Sequence, residues 1–485
     1  MKKSRSYQTL CEESSSVLNS PNCSINLFSI SWLHIIRDHP IYTKSYSDYF
    51  ENNNLLFLTL KSTIRFFQNL AISLVQFIKK ILALKKFSHV IDHTPADVIF
   101  LSHIVDSKNF YDSKDFYFGN VPMEISNDLK VEILYFNWTN DEHFFVDDQI
   151  QRTILDQKYN FFQEIKILIM ASYSVINLLY ILFNREITLR FFMHILPHVF
   201  SMQTINNYRR YLQFLEIFKN KKPSKVICTF EGHAHEKIFF IAAKKTNQKI
   251  STFAYQHSAI FKNQFSVLNH YLPECIPDYI LTSGNFPAEV LKRAYPDSEI
   301  KVVGSHKCGE DTSLKKNFDV PNFLFVPEGF ESETMNMLSF AAKCAAVFKN
   351  INIIFRLHPL VAENSIIKEQ LKSLSLENFT FSNNPMDDDL DYCHFVIYRG
   401  STAVIDAVMA KLIPIYFDDP NDLCELDALY MLKKKVVIHP EDLKEFVYQN
   451  KHDYLLLLTE HQNLFDSIGS LREKITFPDF GIKSE

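Results

Sequence analysis

The sequence reads HFVIYRGSTAVIDA over residues 394–407, and this stretch decides the predicted fold. Its first five residues have the apolar character of a buried strand, whereas the apolar residues after the corner recur at helical spacing. Gly400, Ser401 and Thr402 stand at the corner. Backbone N–H groups at a helix start, together with two hydroxyls, can bind a phosphate without a metal. The alternative is that Ser401 or Thr402 only caps the helix.

Similar strand-turn-helix patterns repeat on both sides of this stretch. Each is a short apolar run followed by a polar corner and, in most cases, a helical pattern. Such alternation predicts parallel sheets covered by helices, in the α/β class. The predicted strands fall into two series, 225–230, 249–255, 278–282 and 300–303, and then 322–327, 351–357, 378–381, 394–398 and 412–417.

The two series predict two Rossmann-like domains, which suits a chain of 485 residues. The first domain is placed at 96–305, with early strands at 96–104 and 130–138 and a helical insertion at 147–220. The second is placed at 306–485, after a polar linker near 305–320. Residues 1–95 form a predicted N-terminal extension.

Composition and charge exclude several classes of protein. The net charge of -5 gives no general attraction to nucleic acid, and we expect no nucleic-acid partner. Eight scattered cysteines form no C-x-x-C pair, so neither a zinc ribbon nor a redox motif is present. Buried reduced thiols and a polar start without an apolar core of a signal peptide predict a cytoplasmic protein.

Two segments raise the question of a membrane. Residues 55–86 have a basic amphipathic pattern, which fits either adsorption to an anionic membrane surface or a helix packed on the protein. Residues 167–183 are the most apolar window, about as long as the shortest spanning helix. A buried or membrane-dipping helix is favoured over a transmembrane span there. The second expected location is therefore peripheral, on the inner face of the cytoplasmic membrane.

Ligands of parallel sheets bind beyond the carboxyl ends of the strands, so the residues at those ends are candidates. Glu231, followed by Gly232, closes the strand 225–230. Burial could raise its pKa toward the working range of a general base, and the alternative is a helix-capping role. His233, His235 and Glu236 do not share one helix face and form no H-E-x-x-H motif, so no metal is predicted.

Further polar groups close the next strands of the first domain. His257 follows the strand 249–255, and Ser283 follows the strand 278–282. Together with His233 and Arg399 they are candidates for binding substrate, with a hydrogen-bonded structural histidine as the alternative for His257.

The second domain carries the other half of the predicted site. Pro359 disfavours helical geometry for His358 and leaves its imidazole at the edge of the strand 351–357. A protonated His358 could hold a phosphate or protonate a leaving group. Glu328 and Gly329 close the strand 322–327. With residues 400–402, these side chains suit one half of a nucleotide-sugar cleft.

The combination resembles the bacterial sialyltransferases and Kdo transferases of the GT-B class that use CMP-activated sugars, and related proteins of surface-polysaccharide biosynthesis. The polysialyltransferase-type pattern is an acidic pair followed by Gly, then His-Pro, then a Ser/Thr corner. The first motif is similar to Phe230-Glu231-Gly232, with Phe230 in place of one acid. The others are His358-Pro359 and the corner at 401–402, and the match covers residues 223–420.

The resemblance implies a role for each matched residue. Glu231 would be the base on the acceptor hydroxyl, while His358, Ser401 and Thr402 would bind the CMP phosphate. It implies a metal-independent transferase without a cofactor, moving a sialic acid-like or Kdo-like sugar from CMP to a surface glycan or lipid-linked acceptor, in capsule or lipopolysaccharide synthesis. The alternatives are a nucleotide-sugar 2-epimerase, a polyol-phosphate transferase, and a non-catalytic, membrane-associated assembly protein.

Overall fold

The structure is a computed structural model of the chain. It describes residues 2–20, 23–36, 44–51, 54–83, 94–105, 114–139, 150–155, 161–269, 273–306, 320–374, 376–419, 425–450 and 454–463. The charged residues of the predicted linker, at 307–317, lie outside the described residues, as do Lys85 and Lys86.

The first half of the chain contributes strands β1 to β7: Val98–Ile104, Val131–Asn137, Gln151–Ile154, Lys225–Thr229, Ser251–Gln256, Tyr279–Thr282 and Glu299–Val302. Within the described residues they form one parallel sheet in the order β3-β2-β1-β4-β5-β6-β7. The order reverses between β1 and β4, where Val98 pairs with Lys225. In open parallel sheets, such a reversal opens a crevice at the carboxyl ends of the two strands.

The second half contributes strands β8 to β13: Asn322–Pro327, Asn352–Arg356, Phe379–Ser382, Phe395–Arg399, Ile413–Phe417 and Lys435–Val437. They form a second parallel sheet in the order β10-β9-β8-β11-β12-β13. Here the order reverses between β8 and β11, where Phe323 pairs with Phe395. The stretch at 394–407 therefore lies at a crevice of the second sheet.

Helices connect and cover the strands, as parallel sheets require. In the first half, α1 to α11 are Lys2–Leu18, Ile25–Phe28, Ser47–Glu51, Leu55–Ala83, Val121–Ile125, Phe161–Phe183, Leu189–Ile195, Met202–Lys221, Ala234–Thr246, Phe265–Leu268 and Asn285–Ala294. In the second half, α12 to α17 are Glu331–Val347, Ser365–Ser373, Met386–Tyr392, Ala403–Met409, Pro440–Asn450 and Tyr454–Glu460. Short 3-10 turns occur at Ser31–Leu33, Leu196–His198, Pro273–Cys275 and Pro359–Val361.

The N-terminal residues pack on the first sheet. Leu10, Phe28 and Leu33 are buried in the same apolar core as Ile99 of β1 and Val226 of β4. The sequence predicted no regular element before residue 50, whereas the structure has α1 there because its apolar residues find partners on this distant core. The first core therefore depends on residues far apart in the chain.

The α/β fold with two parallel sheets and a helical insertion is confirmed. The insertion consists of α6, α7 and α8, and it begins later than predicted because residues 151–154 form the edge strand β3. The strand β13 at the edge of the second sheet was also not predicted. Short edge strands have too few residues to show an apolar pattern, and they become recognisable only through their pairing with a neighbouring strand.

Candidate functional site

The turn between β4 and α9 is built around one buried carboxylate. Glu236 accepts hydrogen bonds from the backbone N–H groups of Glu231 (2.9 Å), Gly232 (2.8 Å) and His233 (2.8 Å). Gly232 has φ +93°, and a Cβ there would lie 2.1 Å from Oγ of Ser266. The capping role considered for Glu231 thus belongs to Glu236, and the Glu231 side chain is left to make other contacts.

Glu231 contacts two histidines at the carboxyl end of the first sheet. Its carboxylate lies 3.4 Å from Nε2 of His233 and 3.2 Å from Nε2 of His257. Burial disfavours the charged form of Glu231, but the hydrogen bonds and charges of the two histidines outweigh it and hold its pKa well below the ordinary value. The predicted rise in the pKa of Glu231 is wrong for this reason.

Of Glu231 and His233, the histidine is the side chain that holds a proton more readily. Burial alone would lower the pKa of His233, but its hydrogen bond to Glu231 and the charges of Glu231 and Glu236 raise it. Glu231 and His233 therefore titrate as a coupled pair. His257 contacts the same carboxylate from the end of β5.

Glu231 and His233 line a cavity of about 700 Å³. Its size is that of a small-molecule site. The described lining also includes Trp32, His34, Tyr46, His103, Tyr117, Trp138, His198, Gln203, Asn206, Asn207, Arg210, Thr229 and His235. The cavity opens at the reversal of the first sheet, because His103 belongs to β1 and Thr229 to β4.

Arg210 of α8 brings a positive charge to the wall of this cavity. Its guanidinium lies 4.3 Å from the ring centre of Phe136 and 5.8 Å from that of Trp138. Burial lowers the pKa of Arg210 to about 10, so it stays charged at neutral pH. Among the described residues, no carboxylate forms an ion pair with Arg210, and cation–π contacts compensate a buried charge only in part. The side chain is suited to bind an anionic group.

The other histidines of the cavity are neutral. Burial lowers the pKa of His103 to about 3, and burial with the charge of His233 holds that of His235 well below its ordinary value. Nε1 of Trp138 donates to Nδ1 of His103 (3.0 Å), which leaves the His103 proton on Nε2. These imidazoles can position a ligand by hydrogen bonding, whereas the charge of the site comes from Arg210 and the Glu231 cluster.

The predicted residues of the second domain come together at the reversal of the second sheet. Glu328 follows β8, and Gly400 follows β11 with φ +72°. A Cβ on Gly400 would lie 2.3 Å from Oε2 of Glu328, and one on Gly329 would lie 2.6 Å from Nδ1 of His358. Glycines at 329 and 400 therefore let the three strand ends meet closely. The structure brings together the side chains that the sequence assigned to phosphate binding.

His358 is a neutral donor in this cluster. Its Nδ1 accepts a hydrogen bond from the N–H of Leu360 (3.2 Å) at the start of the turn Pro359–Val361, so the ring proton lies on Nε2. Burial lowers the pKa of His358, and the charge of Glu328 offsets this only in part. The predicted protonated form of His358 is wrong, because desolvation lowers the pKa of the ring by more than the charge of Glu328 raises it.

The hydroxyls of the corner differ in their contacts. Oγ of Ser401 accepts from the N–H of Ala403 (3.3 Å), whereas Thr402 is the N-cap residue but makes no side-chain capping bond. The helix α15 that follows has only seven residues, so its dipole contributes little positive charge at the corner. Ser401 makes a local backbone contact, and the Thr402 hydroxyl is available beside it.

Two predicted substrate-binding residues lie inside the protein. Arg399 is 1% exposed, with Nε 2.9 Å from Glu333 and Nη1 3.1 Å from the hydroxyl of Tyr416. Its charge is neutralised within the second core. Ser283 is buried at the end of β6. The structure assigns Arg399 to the packing of the domain, and burial likewise removes Ser283 from the ligand surface.

One segment links the turn that carries Glu231 to the second domain. Phe261 is buried in the second core, and its N–H donates to Oε1 of Gln264 (3.1 Å). Nε2 of Gln264 donates to the carbonyl of Glu231 (3.3 Å). Lys262 forms an ion pair with Glu425 of the second half (2.8 Å). The turn that carries Glu231 is thus hydrogen-bonded to a segment anchored in the second domain.

Several cavity residues were not predicted from the sequence. His103 and Trp138 stand at strand ends, and the strand-end rule could have identified both. Trp32 and Arg210 carry no local signal, because they reach the cavity from an N-terminal turn and from the middle of a helix. Among the described residues, no group of three His, Cys, Asp or Glu side chains is arranged to hold a metal ion.

Comparison with known proteins finds solved structures of low identity and low TM-score. No protein-family model and no curated protein matches the chain. A UDP-GlcNAc 2-epimerase from Neisseria meningitidis has 11% identity and a TM-score of 0.41, covering 78% of this chain and 96% of its own. One from Methanocaldococcus jannaschii has 11% identity and a TM-score of 0.42, covering 73% and 93%. MurG from Acinetobacter baumannii has 12% identity and a TM-score of 0.41, covering 77% and 99%.

The assignment of two Rossmann-like domains rests on the chain's own sheets, each parallel and each with a reversal in strand order. One cluster of polar side chains lies at each reversal: Glu231 with its histidines in the first, and Glu328 with His358 in the second. Crevices at such reversals are where α/β folds bind ligands. The chain therefore has a carboxylate–histidine cluster at the first reversal and, at the second, a separate cluster of hydrogen-bonding groups that includes the Glu328 carboxylate.

Proposed function

We propose that the protein is a glycosyltransferase that moves a sugar from a nucleotide-activated donor to an acceptor bound in the cavity. The observation that carries this proposal is the Glu231 cluster. An ionised carboxylate held by two histidines lines a cavity of about 700 Å³ at the reversal of the first sheet. A carboxylate coupled to imidazoles is suited to take a proton from a hydroxyl.

In the proposed reaction, the acceptor oxygen attacks the anomeric carbon of the donor sugar. The bond between that carbon and the phosphate oxygen breaks, and the nucleotide leaves with the electron pair. The acceptor proton passes to Glu231 and from there to the imidazole of His233. The pKa of His233 is raised by Glu231 and Glu236, so this ring can hold the proton that the Glu231 carboxylate alone would hold only weakly.

The second domain is proposed to hold the donor phosphate. Nε2–H of His358 and the Thr402 hydroxyl can donate hydrogen bonds to phosphate oxygens. Preorganised donors of this kind stabilise the charge that develops on a leaving group. No metal or cofactor is part of the proposal, since the donor is itself a substrate.

The proposed donor is a CMP-sugar with a sialic acid-like or Kdo-like sugar. A single phosphate carries less charge than a diphosphate, and neutral donors can balance more of it. The charge of Arg399 is already paired with Glu333, which supports the smaller leaving group. A thermal-shift titration tests the donor. Stabilisation by CMP but not by UDP or CDP-glycerol is expected.

Two other results would redirect the assignment. Stabilisation by UDP alone, with interconversion of a UDP-sugar in the absence of an acceptor, would favour the nucleotide-sugar 2-epimerase. Stabilisation by CDP-glycerol alone would favour the polyol-phosphate transferase. A chain that binds none of these nucleotides would be the non-catalytic assembly protein.

The proposed acceptor is a surface glycan or lipid-linked glycan with an anionic group. Arg210 supports this choice, because its half-buried guanidinium lines the cavity and none of the described carboxylates pairs with it. A carboxylate or phosphate on the acceptor would supply the missing partner. Comparing acidic acceptors with their neutral counterparts tests the choice, and equal KM values for the two would exclude it.

A further inference from the structure

The helix α4 has an apolar face toward the protein and a second one toward solvent. The inner face is fixed by Ser73, whose Oγ donates to the carbonyl of Phe200 (2.8 Å), and by Asn69, whose Nδ2 donates to that of Pro197 (2.7 Å). The outer face is exposed and consists of Leu56, Phe57, Leu60, Ile64, Phe67, Leu74, Val75 and Ile78.

The outer residues of α4 recur every three or four positions from Phe57 to Phe67 and again from Val75 to Ile78. A surface helix of a globular protein normally has one apolar stripe, which faces the core. Here the core-facing stripe is already formed by other residues, including the buried Leu58. The outer stripe is therefore not needed for packing within the chain.

The helix α6 repeats this arrangement. Its inner face is fixed by Glu164, which accepts two hydrogen bonds from Arg209 (2.9 and 2.8 Å), and by Ser174, whose Oγ is 2.6 Å from the hydroxyl of Tyr208. Its exposed outer side chains include Phe162, Ile169, Tyr173, Ile176, Tyr180 and Phe183.

By length and composition, α6 could cross a membrane, as it has 23 residues and contains an 18-residue window with a mean hydropathy of 1.9. The buried Glu164–Arg209 pair instead fixes one side of the helix to α8. The arrangement fits a helix that lies along a surface with its outer side buried in it.

The two helices approach each other at one end. Phe77 near the end of α4 lies 6.3 Å, ring to ring, from Phe161 at the start of α6. We call the exposed residues of both helices the outer face. The sequence of α4 contains four Lys or Arg residues and no Asp or Glu, although the whole chain has a net charge of -5. Lys61 and Arg65 both form ion pairs with Asp48 of α3, and with Lys79 and Lys80 the helix and this carboxylate together keep an excess of positive charge.

We propose that the outer face binds the surface of an anionic lipid bilayer, with α4 and α6 lying in the interface plane. Apolar side chains would enter the acyl boundary, and the basic residues would contact acidic headgroups. Tyrosine side chains such as Tyr173 and Tyr180 suit the headgroup level because one end is apolar and the other polar. A second copy of the chain fits less well, since a two-fold contact would bring the positively charged helix toward its own copy.

This surface lies close to the cavity. Asn69 of α4 contacts the turn Leu196–His198, and His198 lines the cavity. Docking would therefore bring the cavity near the lipid headgroups. The use of this proximity to reach a lipid-linked acceptor rests on the proposed function, whereas the docking to the bilayer does not.

Flotation of the full chain with vesicles tests the docking. We expect the protein to float with vesicles that contain phosphatidylglycerol and to bind pure phosphatidylcholine vesicles about tenfold less or weaker still. Each basic residue near an anionic surface strengthens binding by roughly fivefold, so two such residues suffice for this difference. The double variant Ile64→Glu with Phe67→Glu should lose about tenfold or more of the binding.

The matched control is the double variant Val347→Glu with Ile366→Glu, which changes two exposed apolar residues of the second domain. It should float as the wild type does. Sedimentation velocity completes the test. Equal flotation of all three proteins would overturn the proposal. The proposal would also be overturned if the wild-type protein did not float and instead formed a dimer that the Ile64→Glu and Phe67→Glu changes made monomeric. The outer face would then be an interface between two copies of the chain. Nucleotide thermal shifts should be the same in all variants, which separates this test from that of the proposed function.

Discussion

Replacing Glu231 by glutamine is the sharpest test of the proposed chemistry. The side chain is about one-third exposed, at 36%, and glutamine has the same shape, so the turn held by Glu236 should remain intact. Glutamine can still accept one hydrogen bond from His233 or His257, but it carries no charge and cannot take up a proton.

The expected loss of turnover follows from the loss of the base. A positioned general base contributes about 100-fold to 10,000-fold, or roughly 3 to 5 kcal/mol of the activation barrier. Because the nucleotide is proposed to contact the other domain, its affinity should change less than about twofold, well under 1 kcal/mol. The variant should therefore lose kcat while its binding of CMP is kept.

The assay follows CMP release from a CMP-sugar with a panel of acidic glycan acceptors, beside a thermal-shift titration with CMP. Glu289→Gln, which changes an exposed carboxylate on α11 of the same domain, is the matched control and should retain wild-type turnover. Turnover of Glu231→Gln within about threefold of the control would refute the assignment of the base. Loss of both turnover and CMP stabilisation would show that the residue acts through donor binding instead.

Three further predictions concern the geometry of the two clusters. His358→Ala should weaken CMP binding about tenfold, measured by calorimetry, because the Nε2–H donor is lost; unchanged binding would remove His358 from the phosphate site. Arg210→Met should raise KM for an acidic acceptor about tenfold or more and leave CMP binding unchanged, whereas an equal change for a neutral acceptor would contradict the anion contact. Gly232→Ala should destabilise the protein by more than about 1 kcal/mol in chemical denaturation, because of its positive φ and its contact with Ser266; wild-type stability would contradict the described turn.

A fifth prediction concerns pH. The pKa of Glu231 is lower in the folded protein than its ordinary value of 4.5, so its contribution to stability is present above that value and is lost as the pH falls through the folded pKa. The difference in melting temperature between wild type and Glu231→Gln should therefore shrink on acidification. A difference that stays constant from neutral to strongly acidic pH would contradict the direction of the shift.

The strand-end rule identified a large part of the candidate site. Glu231, His257, Glu328 and His358 were found because parallel strands place their carboxyl ends at one edge, and the structure groups them at two reversals in strand order. The same rule named Arg399, but a strand-end residue can also turn inward. Its pairing with Glu333 could not be read from the sequence, because the two are far apart in the chain.

Protonation states were beyond the reach of the sequence for the same reason. Glu231 was expected to have a raised pKa and His358 to be protonated, and the structure reverses both. Two histidines supplied by different loops stabilise the Glu231 charge, whereas burial dominates at His358. Desolvation and charge interactions depend on what lies within a few ångströms, which only folding decides.

The sequence by itself determined the α/β class, most of the strands, the corner at 394–407 and the apolar character of α4 and α6, since these follow from local spacing of apolar and polar residues. Only the tertiary structure decided that Trp32 and Arg210 reach the cavity, that Glu236 and not Glu231 caps α9, and which side of α4 remains exposed. The physical reason is the distance along the chain over which each property is determined. The periodicity of apolar residues depends on neighbouring residues, whereas burial, pairing and exposure depend on contacts between residues far apart in the chain.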